Sequence, residues 1–281
     1  MFKFGIYTNF DKDKSLINTR KVIGALNELG REIYLDRELS AHLGGLYRPG
    51  IEQTDFVFVL GGDGTILSAA RRYAGCGTKI IGVNLGKMGF LAEIEPDEVS
   101  WALEQIVAGK YNVESRMMLQ AESGSFEETL IALNDFVVSP RNVPRMVSLE
   151  LNINGAFAEK YYCDGMIISS PTGSTGYTIS AGGPIIAPSV NCILVTPVCA
   201  HTLNARSIVL NENDEVEVKL MSRDIQAFVT ADGQHSKRLG GDATVVIKKS
   251  GAVARFVRLK DGNFFELLKI KLAQWQTDDR E

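Results

Sequence analysis

The sequence has few of the residues that build metal centres and disulfide frameworks. Its 281 residues include four cysteines and three histidines, and no two cysteines are spaced as Cys-x-x-Cys. This scarcity argues against a zinc site and against a disulfide scaffold. The first ten residues, MFKFGIYTNF, also lack the apolar core and small-residue cleavage site of a secretory signal. We therefore expect a cytoplasmic protein with reduced thiols.

An excess of basic residues is also missing. The chain has 30 Lys and Arg against 34 Asp and Glu, so its formal net charge is −4. A protein that binds a polyanion needs a positive surface, and this composition supplies no general one. The sequence therefore argues against nucleic acid as the main partner.

Charge is absent altogether from residues 165–205. This stretch contains four of the eight prolines and many Gly, Ser and Thr, so it offers no continuous apolar run of about 20 residues that could span a bilayer. We expect no membrane segment. Glycine is frequent, with 27 residues, many of which cluster at 61–64, 82–89 and 173–183. Such clusters let backbone approach a ligand closely.

Two patterns of hydrophobicity divide the chain. Residues 1–115 alternate between strand and helix patterns: strands are predicted at 3–8, 56–60 and 79–83, and helices at 15–29, 65–73 and 96–107. This alternation predicts a layered α/β domain.

Residues 116–263 instead show period-two alternation and turn signals, including a hairpin at Asn154-Gly155 and a strand at 244–247 followed by a turn at Ser250-Gly251. They predict a β-rich, sandwich-like domain. Residues 264–281 predict a helical tail that packs back on the first domain.

The clearest chemical motif follows the predicted strand 56–60 and reads Gly61-Gly62-Asp63-Gly64-Thr65. A glycine turn between a parallel strand and a helix directs backbone N–H groups toward an anion such as a pyrophosphate. Asp63 would repel that ligand, so it needs a role of its own: a general base, a ligand of bound Mg²⁺, or a cap of the helix that starts at Thr65.

Two familiar phosphate-binding motifs are excluded. Residues 82–88 are one residue too short for a P-loop and have Met88 where a metal-binding hydroxyl is required. The turn after Gly62 lacks the third glycine of the Gly-x-Gly-x-x-Gly dinucleotide fingerprint. The sequence therefore gives no support for an enzyme that transfers hydride to or from a dinucleotide.

Two further clusters combine polar groups with apolar runs. Asp164-Gly165 leads through a β-like run into Pro171-Thr-Gly-Ser-Thr-Gly-Tyr177, whose hydroxyls and amides suit sugar and phosphate oxygens and whose Tyr177 could stack on a base. Asn134-Asp135 interrupts an apolar run, where a carboxylate could accept both hydroxyls of a ribose. The alternatives are an ordinary strand-to-loop connection for the first and a β-bulge or turn for the second.

Taken together, these motifs resemble the NAD kinases of the bacterial type. The matching segments are 61–65, 84–91, 134–135 and 164–177, and the likeness extends from about residue 4 to about residue 262. The Gly-Gly-Asp-Gly turn is shared with 6-phosphofructokinases and with diacylglycerol and sphingosine kinases. The segment from Asp164 to Tyr177 is the more specific one.

The resemblance implies transfer of the γ-phosphoryl group of ATP to the 2′-hydroxyl of the adenosine ribose of NAD, with a divalent metal, Mg²⁺, as cofactor. It implies that Asp63 accepts the proton of that hydroxyl. It also implies a set of binding positions: Gly62, Asp63, Gly64, Phe90, Asn134, Asp135, Arg145, Asp164, Thr175, Gly176, Tyr177, Thr178, Ser180 and Gln234.

The resemblance further implies a homo-oligomer, dimer or tetramer, in which Arg145 reaches a neighbouring subunit. Two positions depart from the family pattern: Gly176 replaces a common Ala, and Tyr162 stands where relatives often have Arg, which removes positive charge near the pyrophosphate. Two other functions stay open at this point. One is a lipid or sugar kinase with the same glycine turn, and the other is a non-catalytic sensor of NAD or NADP.

Overall fold

The computed structural model describes residues 2–45, 47–86, 89–140, 146–201, 205–222 and 225–278. The chain forms two compact units. The first comprises Met1–Ser115 and Arg255–Glu281, and the second comprises Arg116–Ala254. The domain limits expected from the sequence, 1–115, 116–263 and 264–281, stay a prediction.

The first unit is built on a parallel sheet. Its strands are β1 (Lys3–Thr8), β2 (Glu32–Leu35), β3 (Arg48–Pro49), β4 (Phe56–Gly61) and β5 (Lys79–Asn84). They are ordered β5-β4-β1-β2-β3, and each neighbouring pair is parallel. Its helices are α1 (Ile17–Glu28), α2 (Arg37–His42), α3 (Asp63–Tyr73), α4 (Val99–Val107) and α6 (Phe264–Asp278), while α5 (Tyr177–Ser180) belongs to the second unit.

Burial explains why the strands of the first unit read as continuous apolar runs. Every residue of β4 is buried, as expected for a parallel strand covered on both faces. Helix α1 ends before Gly30, which has a φ of +60° and so adopts the left-handed conformation that glycine favours at a helix end. The predicted strands and helices are all present, with three shifted helix starts: α1 begins at Ile17 rather than Ser15, α3 begins at Asp63 rather than Thr65, and α4 begins at Val99 after a 3₁₀ turn.

The second unit is made largely of antiparallel strands. They are β6 (Asn112–Glu122), β7 (Leu130–Ala132), β8 (Asp135–Pro140), β9 (Val147–Ile153), β10 (Ala156–Cys163), β11 (Gly165–Ser169), β12 (Cys192–Val198), β13 (Ile208–Asn211), β14 (Val216–Leu220), β15 (Ala227–Ala231), β16 (His235–Leu239) and β17 (Thr244–Arg258). The first residues of β6 and the last of β17 lie in the first unit. One short helix, α5 (Tyr177–Ser180), follows β11.

Two sheets of the second unit share one buried apolar cluster. One sheet is ordered β13-β12-β11-β8-β15-β16, and the other includes β10-β9-β14-β17. Side chains from both sheets form the cluster, for example Phe136 and Ile168 of the first and Leu149 and Val218 of the second. The expected fold class, an α/β domain with a β-rich, sandwich-like domain, is confirmed.

The hairpin signal in the second unit is confirmed, while one turn signal is wrong. Asn154 and Gly155 have φ values of +52° and +75° and connect β9 to β10, as a two-residue hairpin turn requires. Ser250-Gly251, however, forms no turn, because β17 continues through it. Ser250 is buried, and the pairing of β17 with its neighbours outweighs the local preference of Ser-Gly for turns. None of the helices in the described part of the chain is long and apolar enough to cross a membrane.

Candidate active site

The glycine turn after β4 is shaped by close contacts. Gly62 is the N-cap residue of α3, and no side chain caps this helix end, so the capping role considered for Asp63 is wrong. A Cβ at Gly61 would lie 2.5 Å from Thr65 Cβ, which leaves no room for a side chain. Thr65 Oγ1 in turn accepts a hydrogen bond of 3.1 Å from Asn9 Nδ2. The turn therefore needs glycine for close packing.

The Asp63 carboxylate is held by backbone N–H groups from a distant loop. Phe90 N donates to Asp63 Oδ2 at 2.8 Å, and Leu91 N donates to Oδ1 at 3.1 Å. The side chain is half-buried. Because a carboxylate offers about four lone-pair sites, both oxygens can still accept a proton or another hydrogen bond. The two bonds orient the group without using up its capacity as an acceptor.

The loop that contains Phe90 and Leu91, and so holds Asp63, is itself bound to other residues of the first unit. Glu93 accepts hydrogen bonds from Leu259 N at 2.9 Å and from Lys260 N at 3.0 Å, and it forms an ion pair of 2.9 Å with Arg258. Arg258 also donates to the carbonyl oxygen of Leu91 at 3.4 Å. The position of Asp63 thus depends on residues at the end of β17, in a distant part of the chain.

Lys12 is a basic residue near the turn that sequence reasoning missed. A Cβ built at Gly62 would lie 2.6 Å from Lys12 Nζ, and one built at Gly86 would lie 3.5 Å from it. The ammonium group therefore lies beside Gly62 of the turn, beside Gly86 of the loop after β5, and near the N-terminus of α3, where an anion is favoured. No motif marks Lys12, because it belongs to a polar loop far from the turn in sequence.

In the second unit, Asn134 and Asp135 lie where β7 turns into β8. Asp232 accepts backbone N–H bonds here from Leu133 at 3.2 Å, from Asn134 at 2.7 Å and from Asp135 at 3.3 Å. On the other side, Ser170 N donates to Asn134 O at 2.8 Å. The turn is thereby fixed from two directions. The resemblance to the NAD kinases predicts Gln234 as the contact in this segment, and no sequence motif marks Asp232.

Asn134 and Asp135 both present polar atoms that the described chain leaves without hydrogen-bond partners. Asp135 is 5% exposed, and burial and the charge of Asp232, with no hydrogen bond from the described residues, act on its carboxyl group. Asn134 Oδ1 is buried and likewise lacks a partner. Burial, together with the negative charge of Asp232, raises the pKa of Asp135 to about 7. Buried polar groups without partners are costly, so this pair points to a ligand.

The raised pKa of Asp135 makes the stability of the ligand-free protein depend on pH. Folding favours the protonated form of Asp135. Its contribution to the free energy of unfolding is therefore fully present below the ordinary pKa of 3.8 and is lost as the pH rises to about 7. Each tenfold difference in proton affinity corresponds to about 1.4 kcal/mol. We expect Asp135→Asn to leave the unfolding temperature almost unchanged at pH 4 and to raise it by several degrees at pH 7.5. Thermal unfolding of the variant and of the unsubstituted protein at both pH values measures the difference in unfolding temperature. The same difference at pH 4 and at pH 7.5 would contradict the prediction.

The segment from Asp164 to Tyr177 meets the Asn134-Asp135 turn. Gly173 lies against the backbone of Asn134, and a Cβ there would come within 2.6 Å of the Asn134 carbonyl carbon. A Cβ at Gly176 would lie 3.5 Å from Asn134 Nδ2 and 4.0 Å from Asp135 Oδ2. The tightest contact of an alanine at position 176 would be 3.3 Å, from its Cβ to the carbonyl oxygen of Gly173, which a small local shift can relieve. The structure brings two separately predicted motifs together.

The other predicted positions differ in exposure. Tyr177 is 48% exposed, whereas Thr178 is fully buried and its Oγ1 has no hydrogen-bond partner in the described chain. Phe90, Thr175 and Gly176 are half-buried, and Gly62 is buried. Gly64, Asp164, Ser180 and Gln234 are exposed. Arg145 lies outside the described residues.

Two sequence families match the chain. They are the ATP-NAD kinase N-terminal domain over residues 4–111 and the ATP-NAD kinase C-terminal domain over residues 133–259. Among curated relatives, the NAD kinase of Caldanaerobacter subterraneus subsp. tengcongensis is 39% identical over 98% of this chain and 100% of its own length. The NAD kinase of Thermoanaerobacter sp. (strain X514) is 40% identical with the same coverage.

Solved structures agree with these matches. An NAD kinase from Archaeoglobus fulgidus in complex with ATP has a TM-score of 0.78 and 27% identity, covering 96% of this chain and 98% of that one. Yeast NADH kinase complexed with NADH has a TM-score of 0.80 at 22% identity, covering 94% and 85%, and so supports the fold. With both domains matched and relatives similar over nearly the whole length, the chain belongs to the ATP-NAD kinase family.

Proposed function

We propose that this enzyme uses Asp63 as the proton acceptor when it phosphorylates NAD, and that Asn134 and Asp135 bind the adenosine part of NAD. The chain is a kinase that phosphorylates NAD with ATP as donor, as its family membership shows. The observation that carries the binding proposal is the buried Asn134 Oδ1, which has no hydrogen-bond partner among the described residues, next to the Asp135 carboxyl, which is 5% exposed and has a raised pKa.

The chemical step follows from the groups present. The 2′-oxygen of the adenosine ribose attacks the γ-phosphorus of ATP, and the bond from that phosphorus to the β,γ-bridging oxygen breaks, which releases ADP. The hydroxyl proton passes to a carboxylate oxygen of Asp63. The N–H groups of Phe90 and Leu91 hold this carboxylate in one orientation, which favours proton transfer to a positioned acceptor.

Recognition of the adenosine uses groups that the protein leaves open. We assign the unpartnered Asn134 Oδ1 to the exocyclic amine of adenine, and the Asp135 carboxylate to the ribose hydroxyl that is not phosphorylated, since the proton of the 2′-hydroxyl passes to Asp63. Tyr177 is exposed enough to offer a ring face. The remaining assignments stay proposals: Gly62, Gly64, Phe90, Arg145, Asp164, Thr175, Gly176, Thr178, Ser180 and Gln234.

The described residues contain no group of three or more His, Cys, Asp or Glu side chains that could hold a metal ion. Asp63, the carboxylate of the glycine turn, is already held by two backbone N–H groups. We propose Mg²⁺ as the ion that the triphosphate of ATP carries, since Mg²⁺ in such sites is held largely by substrate phosphates and water.

Asn134→Ala tests the assignment of the adenosine site. Removing the amide should raise KM for NAD by about tenfold, because a buried hydrogen bond to the ligand is lost, and should leave KM for ATP nearly unchanged. NADP formation is measured with an NADP-specific dehydrogenase, and Asn213→Ala in an exposed turn of the same unit is the control. An unchanged KM for NAD would remove Asn134 from the site.

A donor and acceptor survey tests the substrate range. NAD, NADH, sugar phosphates and diacylglycerol are compared as acceptors, and ATP and polyphosphate as donors. We expect NADP to form from NAD and ATP, with no phosphorylation of the sugar phosphates or of diacylglycerol.

We further propose that the enzyme is a homo-oligomer, dimer or tetramer, in the cytoplasm. Its four cysteines are all free thiols, as a reducing compartment favours.

A further inference from the structure

Two buried carboxylates in the second unit have opposite environments. Asp232, 8% exposed, accepts N–H bonds from the three consecutive residues Leu133, Asn134 and Asp135. Asp135, 5% exposed, accepts none through its side chain from the described residues. The Asp232 carboxylate is therefore occupied by backbone N–H groups of the turn, whereas the Asp135 carboxylate can still accept hydrogen bonds from a ligand.

The backbone around Asp232 is specialised for this contact. Asp232 has a φ of +48°, in the left-handed region that few residues other than Gly, Asn and Asp adopt. Its own N–H donates to Asp135 O at 2.9 Å, so main chain and side chain both bind the same turn. A left-handed residue persists where its surroundings determine it.

The three N–H groups need this acceptor. Leu133 and Asn134 lie between β7 and β8 and therefore have no strand partner for their N–H groups, and Leu133 is fully buried. A neutral acceptor would satisfy fewer of these donors, since an amide oxygen has two lone pairs and the amide nitrogen donates. A carboxylate serves all three, and bonds to a charged acceptor are the stronger kind.

We propose that Asp232 is a positioning residue for NAD: its carboxylate holds residues 133–135 in the conformation that presents the Asn134 amide and the Asp135 carboxylate to the adenosine. This inference rests on the proposed binding of NAD by Asn134 and Asp135. Asp232 itself touches no substrate in this assignment. Its effect passes through the backbone of the turn, so it should alter the binding of NAD and leave the use of ATP unaffected.

The test compares Asp232→Asn with Asp242→Asn. Asparagine tolerates the left-handed backbone, so the first variant changes mainly the charge and the acceptor capacity. Asp242 has a φ of +58° and is exposed in the same unit, so the second variant applies the same chemical change outside the turn. KM for NAD, KM for ATP and kcat are measured for each, together with thermal unfolding.

We expect Asp232→Asn to raise KM for NAD at least tenfold, with KM for ATP and kcat within about threefold of the unchanged protein. Asp242→Asn should leave all three constants unchanged. A general loss of stability would lower the fraction of active enzyme and hence the apparent kcat, without this selective effect on NAD. An unchanged KM for NAD, or an equal rise in both KM values, would overturn the proposal.

If Asp232→Asn does not fold, amide hydrogen exchange of the unsubstituted protein provides an independent test of whether Asp232 holds the turn. The amides of Leu133 and Asn134 should exchange slowly already without NAD, because Asp232 holds them in advance. Fast exchange that slows only when NAD is added would overturn the proposal. Asn134→Ala separates the two claims: if it leaves KM for NAD unchanged, the binding assignment fails, whereas slow exchange would still show the hold of Asp232 on the turn.

Discussion

Asp63→Asn should lower kcat for NADP formation by a factor of about 10² to 10⁴, the usual effect of removing a general base. Its KM for NAD should stay within a few fold, because the adenosine is assigned to residues of the second unit. The amide oxygen that this substitution introduces can still accept one of the two N–H bonds from Phe90 and Leu91, so the loop keeps part of its support. Steady-state kinetics and binding of NAD by calorimetry measure the two effects separately.

Asp97→Asn is the matched control for this experiment. Asp97 lies in the same unit and pairs with Lys21 at the surface, where its side chain is 89% exposed. Its loss should leave kcat unchanged, since exposed ion pairs contribute little. If Asp63→Asn kept full turnover, the proton acceptor would have to be another group. If the unsubstituted protein bound NAD and never formed NADP, a sensor would be the better description.

Gly89→Ala should reduce kcat by a factor comparable to that of Asp63→Asn, although no chemical group is removed. A Cβ at position 89 would lie 2.7 Å from Asp63 Oδ2 and closer still to Oδ1 and Cγ. Either the carboxylate or the loop must move, and the proposed proton acceptor then leaves its position. Misplacement of a catalytic group by about 1 Å can cost on the order of 10²-fold.

Gly24→Ala is the control for the effect of adding a methyl group. Gly24 lies within α1 of the same unit, and a Cβ there would have no atom within 4 Å. This substitution should leave kcat unchanged and slightly raise the unfolding temperature, because alanine favours a helix more than glycine does. Unimpaired turnover in Gly89→Ala would show that the contact with Asp63 does not constrain catalysis.

Much of the fold could be predicted because the local signals agree with the tertiary structure. The continuous apolar run of β4 and the glycines after it marked a buried parallel strand and the turn that follows it. Asn154-Gly155 marked a hairpin, since few other pairs adopt two positive φ values. Ser250-Gly251 wrongly predicted a turn, because the pairing of the long strand β17 outweighed a local preference that only two residues express.

The sequence by itself determined the fold class and the chemical groups available to this kinase, because strand and helix periodicity, glycine turns and polar residues in apolar runs are properties of neighbouring residues. Only the tertiary structure decided how those groups are held. Asp63 is oriented by N–H groups 27 and 28 residues away, and Asp232 binds a turn 97 to 99 residues earlier in the chain. Such contacts leave no periodic trace, because they depend on which segments folding brings together.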